Sequence, residues 1–276
     1  MTNRHGPVLP HPVQARRVRT LASTARVTGV ETLADGRTAS ASGAVTERGC
    51  PVVLVAPGSP LHTALLDGQK FDGRRFGGQE DVAARVTLQV DREVGGHSLV
   101  RATLGACGWL SALPETRLRA AAVTIAEQCP DETLFTALEH VGDPRAPVIA
   151  ELDLAGVDFD TLDARGVIDV DEYLAAGVDP LARVAEGIIE HINDGHADVI
   201  APRLAMMLAK PVRTAWLWEL DSESISFLAE LPDVVGPAVV TLPWPHPIRD
   251  PAVLDLALHS LFVQGRCPDA EGLSSP

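Results

Sequence analysis

The sequence predicts an α+β protein in which an N-terminal antiparallel β-barrel precedes a smaller α/β domain. Three observations predict this class. Strand-like runs separated by turns fill most of residues 1–172, and the apolar residues adopt helical spacing beyond them. No G-x-G-x-x-G or Walker-type glycine loop indicates alternating βαβ units. The 276 residues, 46% of them apolar, are enough for two cores.

The predicted barrel begins with a helix over 12–25, because Val13, Val18 and Leu21 share one face. Asp35-Gly36 is a typical hairpin turn between the first two strands. From residue 84 to 90, ARVTLQV, apolar residues alternate as a strand with one buried face requires. The predicted strands are 26–33, 37–47, 50–57, 81–94, 97–110, 145–160 and 166–170. The other predicted helices are 59–66 and 114–129.

The second domain is predicted from two helices, three strands and a final helix. Asp179 followed by Pro180 is a helix-start signal, and apolar residues then repeat at helical spacing as far as Ile192. Pro202 must lie in the first turn of the next helix or kink it. The predicted helices are 179–192, 201–210 and 250–262, and the predicted strands are 212–221, 224–231 and 236–245.

The change of pattern places the domain boundary between residues 172 and 180. We expect a flexible N-terminus over 1–12, a barrel domain over 13–172, an accessory domain over 173–265 and a disordered tail over 266–276.

Charge and composition exclude several classes of partner. The 37 acidic and 23 basic residues give a formal charge of −14, which repels phosphate backbones, so no nucleic-acid partner is expected. No apolar run is long enough to span a membrane, and the N-terminus lacks an apolar signal segment. The four cysteines show no CxxC spacing and fit reduced thiols. These features predict a cytoplasmic protein without a membrane partner.

The stretch 186–200, EGIIEHINDGHADVI, concentrates histidine, asparagine and aspartate between apolar runs. His191 and His196 are five positions apart and would point about 140° away from each other on one helix, unlike the i, i+4 pair of metal sites. Gly195 favours a break between two helices near Asn193. Without HExxH or a nearby third ligand, metal-assisted hydrolysis is disfavoured. The alternative is that Asn193 and its neighbouring aspartate cap helix ends while the imidazoles hydrogen-bond across the corner.

The stretch 179–200, DPLARVAEGIIEHINDGHADVI, resembles the opening of the small helix-and-sheet domain of HugZ-like haem-utilisation proteins. His191, Asn193, His196 and Asp198 match its pattern. The segment PWPHPIRDPAVLDLALHSL resembles the end of that domain. Residues 26–172 are similar in element order to the split β-barrel of pyridoxamine-5′-phosphate-oxidase (PNPOx)-like, FMN-binding proteins. VAPGSPLHTAL and GWLSALP are similar to actinobacterial members in which the barrel comes first.

The resemblance implies a PNPOx-like split barrel, a homodimer formed through it, and haem as the ligand. Haem requires an imidazole or thiolate for the iron and cations or hydroxyls for the propionates. Arg92 and Arg101, on the central strands, are candidates for the propionates, with solvated surface positions as their alternative. The candidate iron ligands are His62, His191, His196 and His246, with His62 and His196 foremost and Cys267 as an outsider.

Three functions remain open at this point. The first is haem storage, transfer or slow oxidative degradation, the last of which would make the protein a haem-oxygenase-like oxidoreductase. The second is a regulatory module without a cofactor that contacts an enzyme of tetrapyrrole synthesis. The third is a flavin-dependent oxidoreductase, although FMN is not expected because basic residues that hold flavin phosphate are not recognisable. Neither G-x-S-x-G nor another nucleophile motif points to covalent catalysis.

Overall fold

The computed structural model describes residues 11–70 and 81–264. The strands of the first domain are β1 Arg26–Thr32, β2 Thr38–Ala39, β3 Ala41–Val45, β4 Pro51–Val55, β5 Val82–Val94, β6 His97–Ala112, β7 Val148–Thr161 and β8 Arg165–Ile168. They form one antiparallel sheet in the order β2-β1-β5-β6-β7-β4-β3, with β8 beside β7. Because β1 also contacts β3, the sheet curls into a nearly closed barrel.

Helices pack against the strands of the barrel. They are α1 His11–Thr24, α2 Pro60–Lys70, α3 Glu115–Gln128, α4 Thr133–Glu139 and α5 Val170–Ala175. Leu21 of α1 and Leu61 of α2 are buried in the same apolar cluster as Val86 and Leu104 of the strands. Helices α3 and α4 pack with β3, β4 and β7 in a separate apolar cluster around Ile125.

The second domain places helices on a three-stranded antiparallel sheet. Its elements are α6 Ala182–Gly195, α7 Ala197–Leu208, β9 Thr214–Leu220, β10 Ser224–Glu230, β11 Pro237–Pro243, α8 Pro251–His259 and a π-helical turn Ser260–Gln264. The sheet order is β11-β10-β9. Ile189, Leu204 and Phe227 centre the core between helices and sheet. Trp218 and Leu228 instead pack with Val94 near the tip of the β5–β6 hairpin, which joins the two domains.

Several predicted elements form almost as expected. The turn at Asp35 and Gly36 joins β1 to β2, with Gly36 at φ 66°, a conformation that glycine adopts without strain. Strand β5 buries alternate residues from Ala84 onward. Asp250 caps α8 by accepting a hydrogen bond from the N–H of Ala252 at 2.9 Å.

Other elements differ from the prediction. Residues 166–170 are not one strand, because Asp169 ends the extended segment and accepts hydrogen bonds from the N–H groups of Asp171 and Glu172 to begin α5. Helix α4 was not predicted. Helix α7 begins at Ala197, so Pro202 lies beyond its first turn and leaves the carbonyl of Asp198 without an i+4 partner.

Asp179 has a larger role than the predicted helix cap. Its Oδ1 accepts a hydrogen bond from the N–H of Leu181 at 2.9 Å, but the regular part of α6 begins at Ala182. Its Oδ2 accepts from the N–H and the hydroxyl of Ser222 at 3.1 and 2.6 Å. Asp179 therefore fixes the start of α6 to the β9–β10 turn.

Near the predicted boundary, buried apolar residues cease to belong to the barrel cluster and begin to belong to the cluster of the second domain. Tyr173 belongs to the barrel cluster and Ala176 packs against it, whereas Leu181 belongs to the cluster of the second domain. Most of the predicted flexible N-terminus, the predicted tail over 266–276 and Cys267 lie outside the described residues. Of the helices in the described ranges, none combines the length and apolar character needed to cross a membrane.

Candidate functional site

Arg92 and Arg101 lie where the β5–β6 hairpin meets the second domain. Val90 pairs with Ala102 and Asp91 with Val100, so Arg101 is the extra residue of a β-bulge. A bulge interrupts the inside-outside alternation of a strand and redirects the side chain it carries. Both arginines are buried, with 7% and 9% of their surface exposed, and the prediction of solvated surface positions is therefore wrong.

Glu186 of α6 bridges the two arginines. Arg92 donates from Nη2 to both carboxylate oxygens of Glu186 at 2.6 Å, and Arg101 donates from Nη1 to Oε1 at 2.9 Å. The Glu186 side chain is itself 54% exposed. A half-exposed carboxylate thus pairs with two buried guanidinium groups.

A second, fully buried carboxylate continues this network. Glu219 of β9 accepts from Nε of Arg101 at 3.1 Å and from Nε of Arg17 at 2.9 Å. Arg17 also donates to both oxygens of Asp163 at 2.9 and 3.0 Å. The network therefore connects α1, the barrel strands and the second domain.

The pKa values of the network follow burial and ion pairing. Burial raises the pKa of Glu219, but Arg17 and Arg101 outweigh it and lower that pKa to about 2. Burial lowers the pKa of Arg17, while Glu219 and Asp163 raise it above the ordinary value overall. For Arg92, burial and the neighbouring charge of Arg101 lower the pKa, against the opposing effect of Glu186.

Asp221 stands next to this network without a cation of its own among the described contacts. Its Oδ1 accepts from the N–H groups of Glu223 and Ser224 at 2.8 and 2.7 Å. Burial, with smaller contributions from Glu219 and Asp179, raises its pKa to about 6 against the lowering effect of those N–H groups. The Asp221 carboxyl group therefore gains or loses its proton near pH 6, whereas most carboxyl groups do so near pH 4.

A cleft of about 390 Å³ opens beside the arginines. Its size lies within the usual range of small-molecule sites. At its rim Arg26 pairs with Asp91 at 2.5 Å, and Gln89 donates to the same carboxylate at 2.6 Å. Nε of Arg92 is buried and has no hydrogen-bond partner in the described structure. The lining residues are Thr24, Arg26, Gln89, Val90, Asp91, Arg92, Arg101 and Glu186.

This arrangement is suited to binding a negative group rather than to covalent chemistry. Guanidinium groups stay protonated and present several N–H donors in one plane, which matches a carboxylate. The described lining contains no cysteine, histidine or lysine, so it offers neither a strong nucleophile nor a proton carrier near neutral pH. The cleft is therefore a candidate binding site.

The predicted histidines do not converge on this cleft. His62 is buried on α2, and its Nε2 lies 2.8 Å from the carbonyl of Ala146. His246 is exposed in the segment after β11, and His191 and His196 are exposed at the α6–α7 corner. Within the described ranges, no group of three or more His, Cys, Asp or Glu side chains is arranged to hold a metal ion.

The α6–α7 corner has a different construction from the one predicted. Helix α6 continues through Gly195, and His196 links it to α7. The rings of His191 and His196 meet edge to face with centroids 5.2 Å apart. Asn193 caps no helix end; its amide instead donates to the carbonyl of Leu217 at 3.0 Å and accepts from its N–H at 2.8 Å. The asparagine of the motif thus joins α6 to β9, whereas His191, His196 and Asp198 are exposed.

The structure of a heme binding protein from Mycobacterium smegmatis superposes on the chain with a TM-score of 0.57. The two sequences are 19% identical, and the alignment covers 94% of this chain and 98% of that one. The two proteins share a fold. The predicted α+β class, a β-barrel followed by a small α/β domain, is confirmed.

Two further solved structures align over a little more than half of the chain, with lower scores. A FAD and heme binding protein from M. smegmatis is 14% identical with a TM-score of 0.36, over 56% of this chain and 80% of that one. A Clostridium acetobutylicum protein related to general stress protein 26 of B. subtilis, of the pyridoxinephosphate oxidase family, is 10% identical with a TM-score of 0.35, over 59% and 96%. No protein-family model and no curated protein matches the sequence.

Sequence reasoning identified Arg92 and Arg101 but missed Arg17, Glu186 and Glu219. One signal was present. Glu219 interrupts TAWLWEL, a strand that otherwise buries most of its residues, and a charge inside such a strand requires a partner. The partners could not be named, because Arg17 and Arg101 come from distant parts of the chain.

Proposed function

We propose that this protein binds haem. The observation that carries the proposal is the fold shared with the M. smegmatis heme binding protein, which extends over 94% of this chain and 98% of that one and so includes both domains. The predicted roles in haem storage, transfer or slow degradation belong to the same proposal. Bound haem would supply a redox-active iron.

The described residues fit one end of haem well. Arg92 and Arg101 offer paired cations in a cleft beside Val90, which suits propionate carboxylates. The iron ligand has to come from elsewhere, because no imidazole or thiolate belongs to the described lining. His191 and His196 are the preferred candidates, since both are exposed, whereas the Nε2 of His62 is engaged with a backbone carbonyl.

A homodimer through the barrel forms part of the proposal. Trp109 of β6 is 49% exposed although it lies on a central strand of the sheet. An aromatic side chain that is half exposed on a paired central strand is a surface that a second copy could cover. Large exposed aromatic residues are frequent anchors of protein interfaces.

Titration of purified protein with haemin tests haem binding. We expect a shifted Soret band that weakens in His191→Ala or His196→Ala, because loss of the iron ligand changes the spectrum. His259→Ala, an exposed histidine at the end of α8, is the matched control and should titrate as the unmodified protein. A featureless titration of the unmodified protein would refute haem binding. The same spectra would reveal a bound flavin.

A regulatory module without a cofactor is the second candidate. One observation favours it: Arg92 and Arg101 are already paired with Glu186 and Glu219 of the same chain. The arginines would then hold the two domains together for a protein partner. Recovery of an enzyme of tetrapyrrole synthesis by protein that shows no affinity for haemin would support this candidate over the first.

A further inference from the structure

We infer that the cleft beside Arg92 is a binding site for an organic carboxylate that enters in exchange for the side chain of Glu186. The inference does not require that the ligand contain iron. It concerns the chemical group that the cleft accepts and the internal group that this ligand displaces.

The present occupant of the arginine pair identifies the class of ligand. The Glu186 carboxylate receives hydrogen bonds from Arg92 Nη2 at 2.6 Å and from Arg101 Nη1 at 2.9 Å. The guanidinium groups are thus already placed for one carboxylate between them. An external carboxylate can form the same charge-assisted hydrogen bonds without rearrangement of β5 or β6.

Glu186 can move away from the arginines more easily than Glu219 can. Its side chain is 54% exposed, whereas that of Glu219 is 5% exposed and bound to both Arg17 and Arg101. A carboxylate that is half in water recovers its hydration after a change of rotamer. Glu219 is buried and held by two arginines, so Glu186 is the exchangeable group.

Charge balance requires that a ligand carboxylate replace a carboxylate of the protein rather than join those already present. The ion-paired arginines around the cleft are Arg17, Arg26, Arg92 and Arg101, and the carboxylates that pair with them are Asp91, Asp163, Glu186 and Glu219. Because these four cations face four anions, another buried anion would lack a counter-charge. One carboxylate must turn outward when a ligand enters.

Arg92 provides a further donor to such a ligand. Its side chain lines the cleft, and its Nε is buried without a hydrogen-bond partner in the described structure. An unsatisfied buried N–H is costly, so a ligand oxygen that accepts from it gains binding energy that Glu186 does not use. The cleft of about 390 Å³ leaves room for the body of a small organic acid.

Calorimetric titration with sodium succinate, at constant ionic strength and without haemin, tests the inference. We expect Glu186→Gln to bind succinate about tenfold more tightly than the unmodified protein, because the internal competitor loses its charge. Glu190→Gln removes one charge from an exposed position one turn further along α6 and should leave the affinity unchanged. Arg92→Met should abolish binding in either background.

Trp218 supplies a second readout, since its ring centroid lies 5.9 Å from Cζ of Arg92. Succinate should change the tryptophan emission of the Glu186→Gln protein, and Trp218→Phe should remove that change. If Arg92→Met fails to fold, Arg92→Lys keeps the charge but loses the planar donors and should weaken binding about tenfold. Equal affinities for Glu186→Gln and Glu190→Gln, or no binding by either, would overturn the inference. Because haemin is absent, this result is independent of the haem proposal.

Discussion

Arg17 and Glu219, which are 202 positions apart in the chain, are joined by a hydrogen bond of 2.9 Å between Nε and Oε2. Both side chains are buried, at 9% and 5% exposure. Arg17 comes from the first helix and Glu219 from the sheet of the second domain. This ion pair connects the first helix of the barrel domain to the sheet of the second domain.

Removal of Glu219 should destabilise the protein strongly. Glu219→Gln leaves Arg17 and Arg101 buried without their shared carboxylate, and loss of one partner of a buried pair costs about 3–5 kcal/mol. Urea unfolding gives the free energy of unfolding. Glu223→Gln is the matched control, because Glu223 pairs with Arg16 at partly exposed positions and its loss should cost about 0–1 kcal/mol. Equal losses in the two variants would contradict the structural importance of the buried pair.

Asp221 should make the protein more stable as the pH falls from 7 to about 4.5. Its pKa is about 6 in the folded chain against an ordinary value of 3.8, so the folded chain binds the proton more tightly than the unfolded chain. This contribution is fully present below pH 3.8 and is lost as the pH rises through 6; it amounts to at most about 3 kcal/mol. Glu219 acts oppositely, since its pKa of about 2 against 4.5 gives stability that is lost as the pH falls below 4.5.

Asp221→Asn isolates the contribution of this group. The amide oxygen can still accept the hydrogen bonds from Glu223 and Ser224, but the side chain no longer titrates. The free energy of unfolding of the variant minus that of the unmodified protein should therefore decrease from pH 7 to pH 4.5, because only the unmodified protein gains stability from protonation of Asp221. A difference that is constant over this range would show that Asp221 has an ordinary pKa.

Asn193 should matter to stability more than the histidines beside it. Asn193→Ala leaves the N–H and the carbonyl of Leu217 without their side-chain partners, at a cost of about 1–3 kcal/mol. His196→Ala, at an exposed position, should change the free energy of unfolding by less than about 0.5 kcal/mol. Thermal and urea unfolding distinguish the two variants, and a larger loss in His196→Ala would reverse this assignment.

The β5–β6 turn offers a paired test of the contact between the domains. Gly95 and Gly96 both have positive φ, 56° and 77°, so alanine costs about 1–2 kcal/mol of backbone strain at either position. A Cβ on Gly95 would also lie 2.8 Å from Cζ2 of Trp216, whereas one on Gly96 would meet nothing within 4 Å. Gly95→Ala should therefore be less stable than Gly96→Ala, and equal stabilities would argue against the packing of the turn on Trp216.

Dimer formation can be tested at Trp109. Trp109→Glu places a charge on the exposed sheet face and should weaken self-association by about 2 kcal/mol or more, as expected for an aromatic anchor. Phe135→Glu, a substitution of an aromatic residue that is 69% exposed on α4, is the matched control. Sedimentation equilibrium measures both dissociation constants. Unchanged association in Trp109→Glu would place the interface elsewhere, and a monomeric unmodified protein would refute the dimer.

Local sequence patterns predicted most of the elements for physical reasons. Alternation of apolar residues located β5, the Asp-Gly pair located the first turn, and Asp250 with Pro251 located the start of α8. These signals act over a few residues. Helix α4 and the early start of α7 were missed because the packing of Leu134 and Ile200, rather than propensity, stabilises them.

The sequence by itself determined the α+β class, the order of the elements and the presence of two arginines on the central strands. Only the tertiary structure decided what those arginines do. The bulge at Arg101 interrupts the alternation of buried and exposed residues, so the side of the sheet on which Arg101 lies does not follow from the sequence pattern. Its partners Glu186 and Glu219 lie 85 and 118 positions further along the chain. Periodicity reports which face of an element is buried, but ion pairing depends on which elements meet, and that is set by the packing of the whole chain.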